Sequence, residues 1–315
     1  MERLINERSI SLGYSLDASS FGTYTSALNS YITFCNLHHL PLDPTPDTLS
    51  FFVVFLSNHI KPDSVNSYLS GICRQLEAFY PDVRRHRKSL LVSRTMTGCM
   101  RRFGSAVKRK SPLSHANLLF IIDSTVSRPS YDDLLFLAII LTGFYALMRL
   151  GELVFSDQKN LRNYRKISLR HSVSILPDQY PFYLNSHKGD PFFEGNTIVV
   201  QRTTNATDPH GPFLRYLDAR DERFPLHPEP LLTSCGSVPT RHWFISRLRK
   251  FFPKEIAGQS IRSGGATSLA EAGADLTTIQ AVGRWKSDTF RIYIRKNPVI
   301  LHAVLVGRPA HHPLD

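Results

Sequence analysis

Apolar residues recur at helical spacing along most of this chain. Tyr24, Leu28, Tyr31 and Cys35 fall on one face, and the stretch from Pro41 to Pro46 then breaks the pattern. Asp47 is placed to cap a second helix carrying Leu49, Phe52, Val53 and Leu56. A third, opening at Asp63 or Ser64, puts Val65, Tyr68, Leu69, Ile72, Leu76 and Phe79 on one side. The segment after Pro81 supplies a fourth. Residues 104–112 (GSAVKRKSP) are small and basic and read as a linker, which separates a helical domain, 1–103, from a second domain, 113–315.

The second domain opens with a helix after Ser114 and continues with an apolar helix from about Asp132 to Val154. Its greasiest part, Leu134 to Met148, is short for a membrane span and ends at Arg149, so a buried core helix is expected. Between Lys166 and Val200 the rhythm changes. Ile167 to Leu176, Tyr180 to Asn185 and Thr197 to Gln201 look strand-like and are separated by Pro, Gly and Asn turns. Helical spacing returns over Phe213 to Arg220, Arg241 to Phe252, Ser260 to Ala272, Leu276 to Val282 and Ser287 to Arg295. The expected fold class is mixed and mainly α: a helical N-terminal domain followed by an α+β domain with a small antiparallel sheet.

Charge sharpens this picture. There are 38 Lys and Arg against 26 Asp and Glu, a formal net charge of +12, which favours a polyanionic partner. The excess is concentrated. Between Val83 and Lys110 lie Arg84, Arg85, Arg87, Lys88, Arg94, Arg101, Arg102, Lys108, Arg109 and Lys110, with no acidic residue among them. Such a run is often only a solvated face or an import signal. Here Leu90, Leu91, Val92, Met96, Met100 and Phe103 interrupt it, so a helix with one apolar and one cationic face is expected, suited to contacting phosphates.

The four cysteines, Cys35, Cys73, Cys99 and Cys235, form no CxxC pair and read as free thiols of a reducing compartment. The thirteen histidines are scattered, and no metal site and no cofactor are expected. Residues 1–14 lack the apolar core of a secretory signal, so the expectation is a soluble, intracellular protein with no membrane contact.

Five short motifs carry candidate chemistry, in this order: Ala146–Leu153 (ALMRLGEL), Tyr183–Asp190 (YLNSHKGD), Gln259–Thr267 (QSIRSGGAT), Val282–Asp288 (VGRWKSD) and Arg291–Arg295 (RIYIR). Over about Leu113 to Ile300 the series resembles the catalytic domain of tyrosine recombinases, with most similarity to the eukaryotic branch carried by Crypton- and DIRS-like mobile elements. The N-terminal helical domain resembles that family's core-binding domain in pattern only.

The resemblance implies a site-specific recombinase that cuts and rejoins DNA through a 3′-phosphotyrosyl intermediate. Arg149 and Arg262 would clamp the phosphate, with Glu152 positioning Arg149. Lys188 would be the general acid on a β-hairpin and Tyr293 the nucleophile. Guanidinium groups suit the first task because they hold two non-bridging oxygens in a planar fork and stay charged. Such chemistry needs neither metal nor ATP. Double-stranded DNA is the implied partner, bound by a homo-oligomer, a dimer on one site and a tetramer on paired sites. In a eukaryotic cell the nucleus would be the workplace.

Two departures from the family pattern matter. Gln259 stands where the family has a histidine, and it can donate a hydrogen bond but cannot shuttle a proton near neutral pH. Arg284, nine residues before Tyr293, stands at the usual His/Trp position; either Arg284 or its neighbour Trp285 fills that role. Loss of acid–base help typically costs ~10²–10⁴ in rate. The alternative readings are a weakened or inactive derivative that acts as a DNA-binding protein, and a type IB topoisomerase. The apolar stretch Val299 to Val306 is expected to dock into a neighbouring protomer. Deleting the residues after Pro298 should therefore abolish assembly on DNA in a mobility-shift titration and leave single-site binding intact; unchanged assembly refutes the docking.

Overall fold

Local caps fix where the helices begin. The structure is a computed structural model that describes every residue except 14, 16, 106–108, 126, 188–189, 191–193 and 286–315. The chain divides into two units, Met1–Lys108 and Arg109–Asp315.

The first unit is helical throughout: α1 (Glu2–Gly13), α2 (Ala18–Leu37), α3 (Pro46–Ser57), α4 (Pro62–Leu76), α5 (Val83–Arg87) and α6 (Leu90–Phe103). Asp47 is not the cap of α3. Thr45 takes that position and accepts the Thr48 N–H, because Pro46 at the first helical position needs no donor partner. The core joins Tyr31, Phe34 and Cys35 of α2 to Leu49, Phe52 and Val53 of α3, Val65, Leu69 and Ile72 of α4, and Val92, Met96 and Cys99 of α6. Gly71 lets α4 lie against α2, since a Cβ there would meet the Ala27 Cβ at 2.9 Å. Phe79 does not join the buried face, because α4 stops at Leu76 and Phe79 is exposed beyond it. The basic segment is two helices, α5 and α6, with Ser89 capping the second.

The second unit is built around α8 (Tyr131–Tyr145), whose residues from Leu135 to Phe144 are all buried. A Ser130–Asp133 capping box starts it. Around it lie α7 (His115–Thr125), α10 (His210–Arg223), α11 (Arg241–Leu248) and α12 (Gly258–Glu271), followed by α13 (Leu276–Val282). The four-residue helix α9 (Leu150–Leu153) directly follows α8. Strands β1 (Gln179–Leu184) and β2 (Asn196–Gln201) pair antiparallel, with Gln179 opposite Gln201 and Leu184 opposite Asn196. Tyr180, Phe182 and Leu184 of β1 and Ile198 and Val200 of β2 turn inward. Tyr180 stacks flat on Phe213 of α10, with centroids 4.1 Å apart, and its hydroxyl is 2.9 Å from that of Thr142 on α8. The mainly helical architecture with one small antiparallel sheet is the fold class expected above.

The third expected strand, Ile167 to Leu176, is not one. Residues Tyr164–Lys166 and Arg170–Ser172 form 3₁₀ turns. Arg170 explains the departure. Its backbone N–H donates to Pro228 O and its guanidinium forks onto the Asp221 carboxylate at 2.6–3.0 Å, so the middle of the segment is held out of a ladder with β1, and only the backbone N–H groups of Ser174 and Leu176 donate to that strand, at Pro181 O and Gln179 O. Among the described residues, no helix is long and apolar enough to cross a membrane.

Gly264 and Gly265 do not offer backbone to a nucleic acid. Both are buried, and a Cβ on either would run into a backbone carbonyl, that of Leu113 at Gly264 and that of Phe144 at Gly265. Gly265 lets α12 pack directly on the end of α8, and Gly264 lets it pack on the Leu113 backbone ahead of α7. Gly265→Ala should therefore cost about 1–3 kcal/mol through overpacking, whereas Gly151→Ala, with nothing within 4 Å of the added Cβ, should be neutral or slightly stabilising. Urea unfolding followed by tryptophan fluorescence checks this, because Trp243 and Trp285 both lie in the second unit. Equal midpoints for the two variants would refute the packing argument.

Candidate active site

Two helix ends create the site. At the C-terminus of α8 the chain turns through Leu147 with φ of 48°. Met148 N–H returns to Gly143 O at 2.9 Å, and Leu147 N–H to Phe144 O at 3.3 Å. At the C-terminus of α13, Arg284 has φ of 55°, Trp285 N–H bonds Gln280 O at 3.1 Å and Arg284 N–H bonds Ala281 O at 2.9 Å. Both are Schellman closures, and both place a side-chain-bearing residue where glycine is usual. Such a conformation costs about 1–2 kcal/mol for a residue with a Cβ. α12 ends the same way but uses Gly273, with φ of 84°.

Arg262 joins these two ends. It lies on α12, is 4 % exposed, and donates from Nη1 to Leu147 O at 2.8 Å and from Nη2 to Gly283 O. A cation at two helix C-termini meets the negative ends of both dipoles. Beneath it lies the Trp285 ring, with its centroid 4.2 Å from the guanidinium carbon. Trp285 is itself buried with Leu147, Ala266, Ala270 and Ile279, so its ring acts here as the floor under Arg262.

Arg149 is not inside a helix, as the expected single helix to Val154 would have it. The turn at Leu147 ends α8, and Arg149 becomes the N-cap of α9. One turn on, Glu152 folds back. Its Oε2 accepts the Arg149 N–H at 2.9 Å and its Oε1 pairs with Arg149 Nη1 at 2.9 Å. The Glu152 side chain is 6 % exposed and that of Arg149 is 32 % exposed, so Arg149 is the arginine of this group that faces solvent. Arg284 completes the cluster. Its Nη2 reaches Glu152 Oε2 at 3.2 Å and Leu147 O at 3.5 Å, and its Nη1 donates to Ala146 O and Val282 O. Burial pulls the Arg284 pKa below the usual arginine value, and the Glu152 carboxylate opposes that pull.

Four residues from three motifs, Arg149, Glu152, Arg262 and Arg284, thus meet around one backbone turn. Gln259 sits exposed in the first turn of α12, three residues before the buried Arg262. Lys188 and Tyr293, the expected helix Ser287 to Arg295 and the stretch Val299 to Val306 lie outside the described residues. The flanks of the connection between β1 and β2 are nevertheless fixed. Asp190, 6 % exposed, accepts the N–H groups of Glu194 and Gly195, and Asn185 Nδ2 donates to Ile167 O at 2.6 Å.

Sequence reasoning overlooked several partners. The carbonyls of Leu147 and Gly283 carry no side-chain signal at all. His115 of α7 bridges Ser268 of α12 at 2.7 Å and Thr207 at 3.0 Å, and Tyr145 reaches the same Thr207 hydroxyl at 2.7 Å. This network braces α12 from another side, and a lone histidine in the sequence gives no hint of it.

The cationic residues of the first unit are on its surface. Arg84, Arg85, Lys88, Arg94, Arg101 and Arg102 are exposed, and Arg94 and Arg101 lie opposite the buried line Val92, Met96 and Cys99. Some of this charge is already paired. Arg84 forks onto Glu77 at 2.5 and 2.8 Å, Arg85 meets Asp82 at 3.1 Å, and Arg87 donates to Asn66 O. An open cleft of about 780 Å³ is lined by Pro46, Arg84, Arg85, His86, Lys88 and Ser89. In the second unit, Arg109 is exposed and Lys110 donates to Lys254 O at 2.8 Å; Lys108 lies outside the described residues.

No protein-family model matches the chain, and no curated protein matches it in sequence. Solved structures do match. A lambda integrase dimer bound to a COC′ core site is 17 % identical, with a TM-score of 0.52 over 92 % of this chain and 75 % of that one. The XerH site-specific recombinase bound to palindromic difH substrate gives 0.55 at 16 % identity, over 83 % of this chain and 71 % of that one. The Tn1549 transposon integrase in complex with transposon right-end DNA gives 0.52 at 13 % identity, over 84 % of each chain. The fold is that of the tyrosine recombinases. Identities this low establish the likeness of fold and nothing finer.

Within this recombinase fold, Glu152 faces a strict electrostatic demand. Glu152→Gln keeps its size and leaves the buried Arg284 guanidinium without a counter-charge, so a loss of about 3–5 kcal/mol in stability is expected. Chemical denaturation of the full chain reads it. A change below about 1 kcal/mol, the scale of an exposed pair, would show that the carboxylate is not what holds the cluster.

Proposed function

We propose that the chain is a site-specific DNA recombinase that cuts and rejoins strands through Tyr293. The observation that carries this reading is the convergence of Arg149, Glu152, Arg262 and Arg284 on the Leu147 turn, inside a recombinase fold. The Tyr293 oxygen attacks the scissile phosphorus, forms a 3′-phosphotyrosyl bond and expels the 5′-oxygen, which takes a proton and leaves as a 5′-hydroxyl. Lys188 is the proposed donor of that proton. A 5′-hydroxyl of the partner strand then attacks the phosphotyrosine and restores the phosphodiester, so the bond is conserved without metal or ATP. Arg149 and Arg262 stabilise the pentacoordinate phosphorane.

The cationic helices of the first unit, with Arg109 and Lys110 beside the second, supply non-specific phosphate contacts and make affinity fall steeply with salt. The lambda integrase and XerH structures hold DNA, and this chain is proposed to act likewise on double-stranded DNA, as a dimer on one site and a tetramer on paired sites. Its proposed context is integration or excision of a Crypton- or DIRS-like mobile element, in the nucleus of a eukaryotic host.

A second reading is favoured by one specific observation. Gln259 and Arg284 stand where the family carries proton-handling residues, and a derivative that only binds DNA would keep the arginines and lose the chemistry. Nicked suicide duplexes made from the element's ends separate the two. Wild type should form a covalent protein–DNA adduct on a denaturing gel, and Tyr293→Phe should form none while binding DNA equally well. Absence of adduct from both, with binding intact, would move the assignment to the DNA-binding derivative. Relaxation of supercoiled plasmid without paired sites would move it to a topoisomerase.

A further inference from the structure

Arg284 is an uncommon choice for its position. It takes the left-handed conformation that ends α13, yet its side chain is only 9 % exposed and turns inward. Its two terminal nitrogens are occupied by Ala146 O, Val282 O, Leu147 O and the Glu152 carboxylate. Its Nε is buried and has no hydrogen-bond partner among the described residues. With two acceptors on each terminal nitrogen, all four terminal N–H groups of Arg284 are engaged, and none is left to grip a phosphate oxygen.

What it does grip is the group that aims Arg149. Glu152 Oε2 receives both the Arg149 N–H and Arg284 Nη2, while Oε1 holds the Arg149 guanidinium. The terminal torsion of a glutamate is broad, so a carboxylate held from one side alone can rotate about it. A second donor arriving from α13 fixes the carboxylate plane, and with it the direction of Arg149. We propose that Arg284 is a positioning residue that orients Arg149 through Glu152 and does not itself touch the phosphate. A lysine cannot replace it, because a single ammonium does not span the Ala146 and Leu147 carbonyls and the carboxylate as a planar fork does.

The kinetic half of the test rests on the recombinase reading; the spectroscopic half does not. In the full chain labelled with ¹⁵N-arginine, the Nε–Hε resonances of Arg149 and Arg284 are assigned with Arg149→Lys and Arg284→Lys. In Arg284→Met the Arg149 resonance should move toward the free-arginine position and lose order on the nanosecond scale, with the helical circular dichroism of the chain retained. Should Arg284→Met fail to fold, Arg284→Lys, which keeps the charge, serves for the same comparison. An Arg149 resonance unchanged in either folded variant overturns the proposal.

On nicked suicide duplexes, Arg284→Met, Arg284→Lys and Arg284→His should all slow adduct formation at saturating DNA by about tenfold or more, as a misaimed clamp does. Duplex affinity and the shape of the pH–rate profile should stay as in wild type. A rate restored by Arg284→His with a new limb near neutral pH would mean that this side chain handles the proton itself. Affinity lost in step with rate would mean that it grips the phosphate directly. Either result refutes the positioning role. No adduct from wild type would count against the recombinase reading alone, and the arginine spectra would still decide the role of Arg284.

Discussion

The carbonyl of Leu147 accepts from two guanidiniums, those of Arg262 and Arg284, and the second unit is organised around that fact. The carbonyl is available because α8 ends in a left-handed turn at a residue that bears a side chain. Leu147 and Arg284 each cost about 1–2 kcal/mol in backbone strain. Hydrogen bonds to charged donors contribute about 1.5–3 kcal/mol each, so the two guanidiniums offset the strain of the turns they bind. The same arrangement requires α12 to approach α8 closely enough for Arg262 to reach, which is why Gly265 lies against the Phe144 carbonyl. It also ends α8 before Arg149, so that this side chain starts a new helix and points outward.

Electrostatics follow from the packing. Two guanidiniums, those of Arg149 and Arg284, share the Glu152 carboxylate, and a third, that of Arg262, rests on the carbonyls of Leu147 and Gly283. The C-terminal ends of α8 and α13 neutralise part of the excess. What remains is positive and partly desolvated, an environment that an anion completes. The partly exposed Arg149 marks the open side. On the proposed reading that anion is a phosphodiester, whose two non-bridging oxygens suit a guanidinium fork.

Much of this was legible in the sequence, for a physical reason in each case. Helical spacing located α4 and α13, because a buried stripe has to recur at 3.6 residues, and a continuous apolar run located α8, which is buried on every side from Leu135 to Phe144. The order of the short motifs located Arg149, Glu152, Arg262 and Arg284. Errors came where a distant partner overrode local pattern. Residues 167–176 alternate like a strand, but Arg170 is tied to Asp221 and Pro228. The apolar run to Val154 reads as one helix, yet the left-handed turn at Leu147 divides it, and no glycine announces that turn. Asp47 is a good cap by type, and Thr45 is a better one because proline follows it.

Gln259 and Arg284 raise the same question from opposite sides of Arg262. Gln259 is exposed and neutral, able to donate hydrogen bonds from its amide and unable to shuttle a proton. Arg284 is buried and charged, with both terminal nitrogens engaged by backbone and carboxylate. On the proposed reading, neither position would exchange protons with the reacting phosphate, although the family ordinarily places ionisable or indole groups there. Holding the phosphate and moving the proton would then fall to separate parts of the molecule: the clamp to the packed ends of α8, α12 and α13, the proton to the β1–β2 connection. A clamp that does not titrate keeps its charge across the physiological range. Its contribution would be independent of pH, leaving any pH dependence of cleavage to Lys188 and Tyr293.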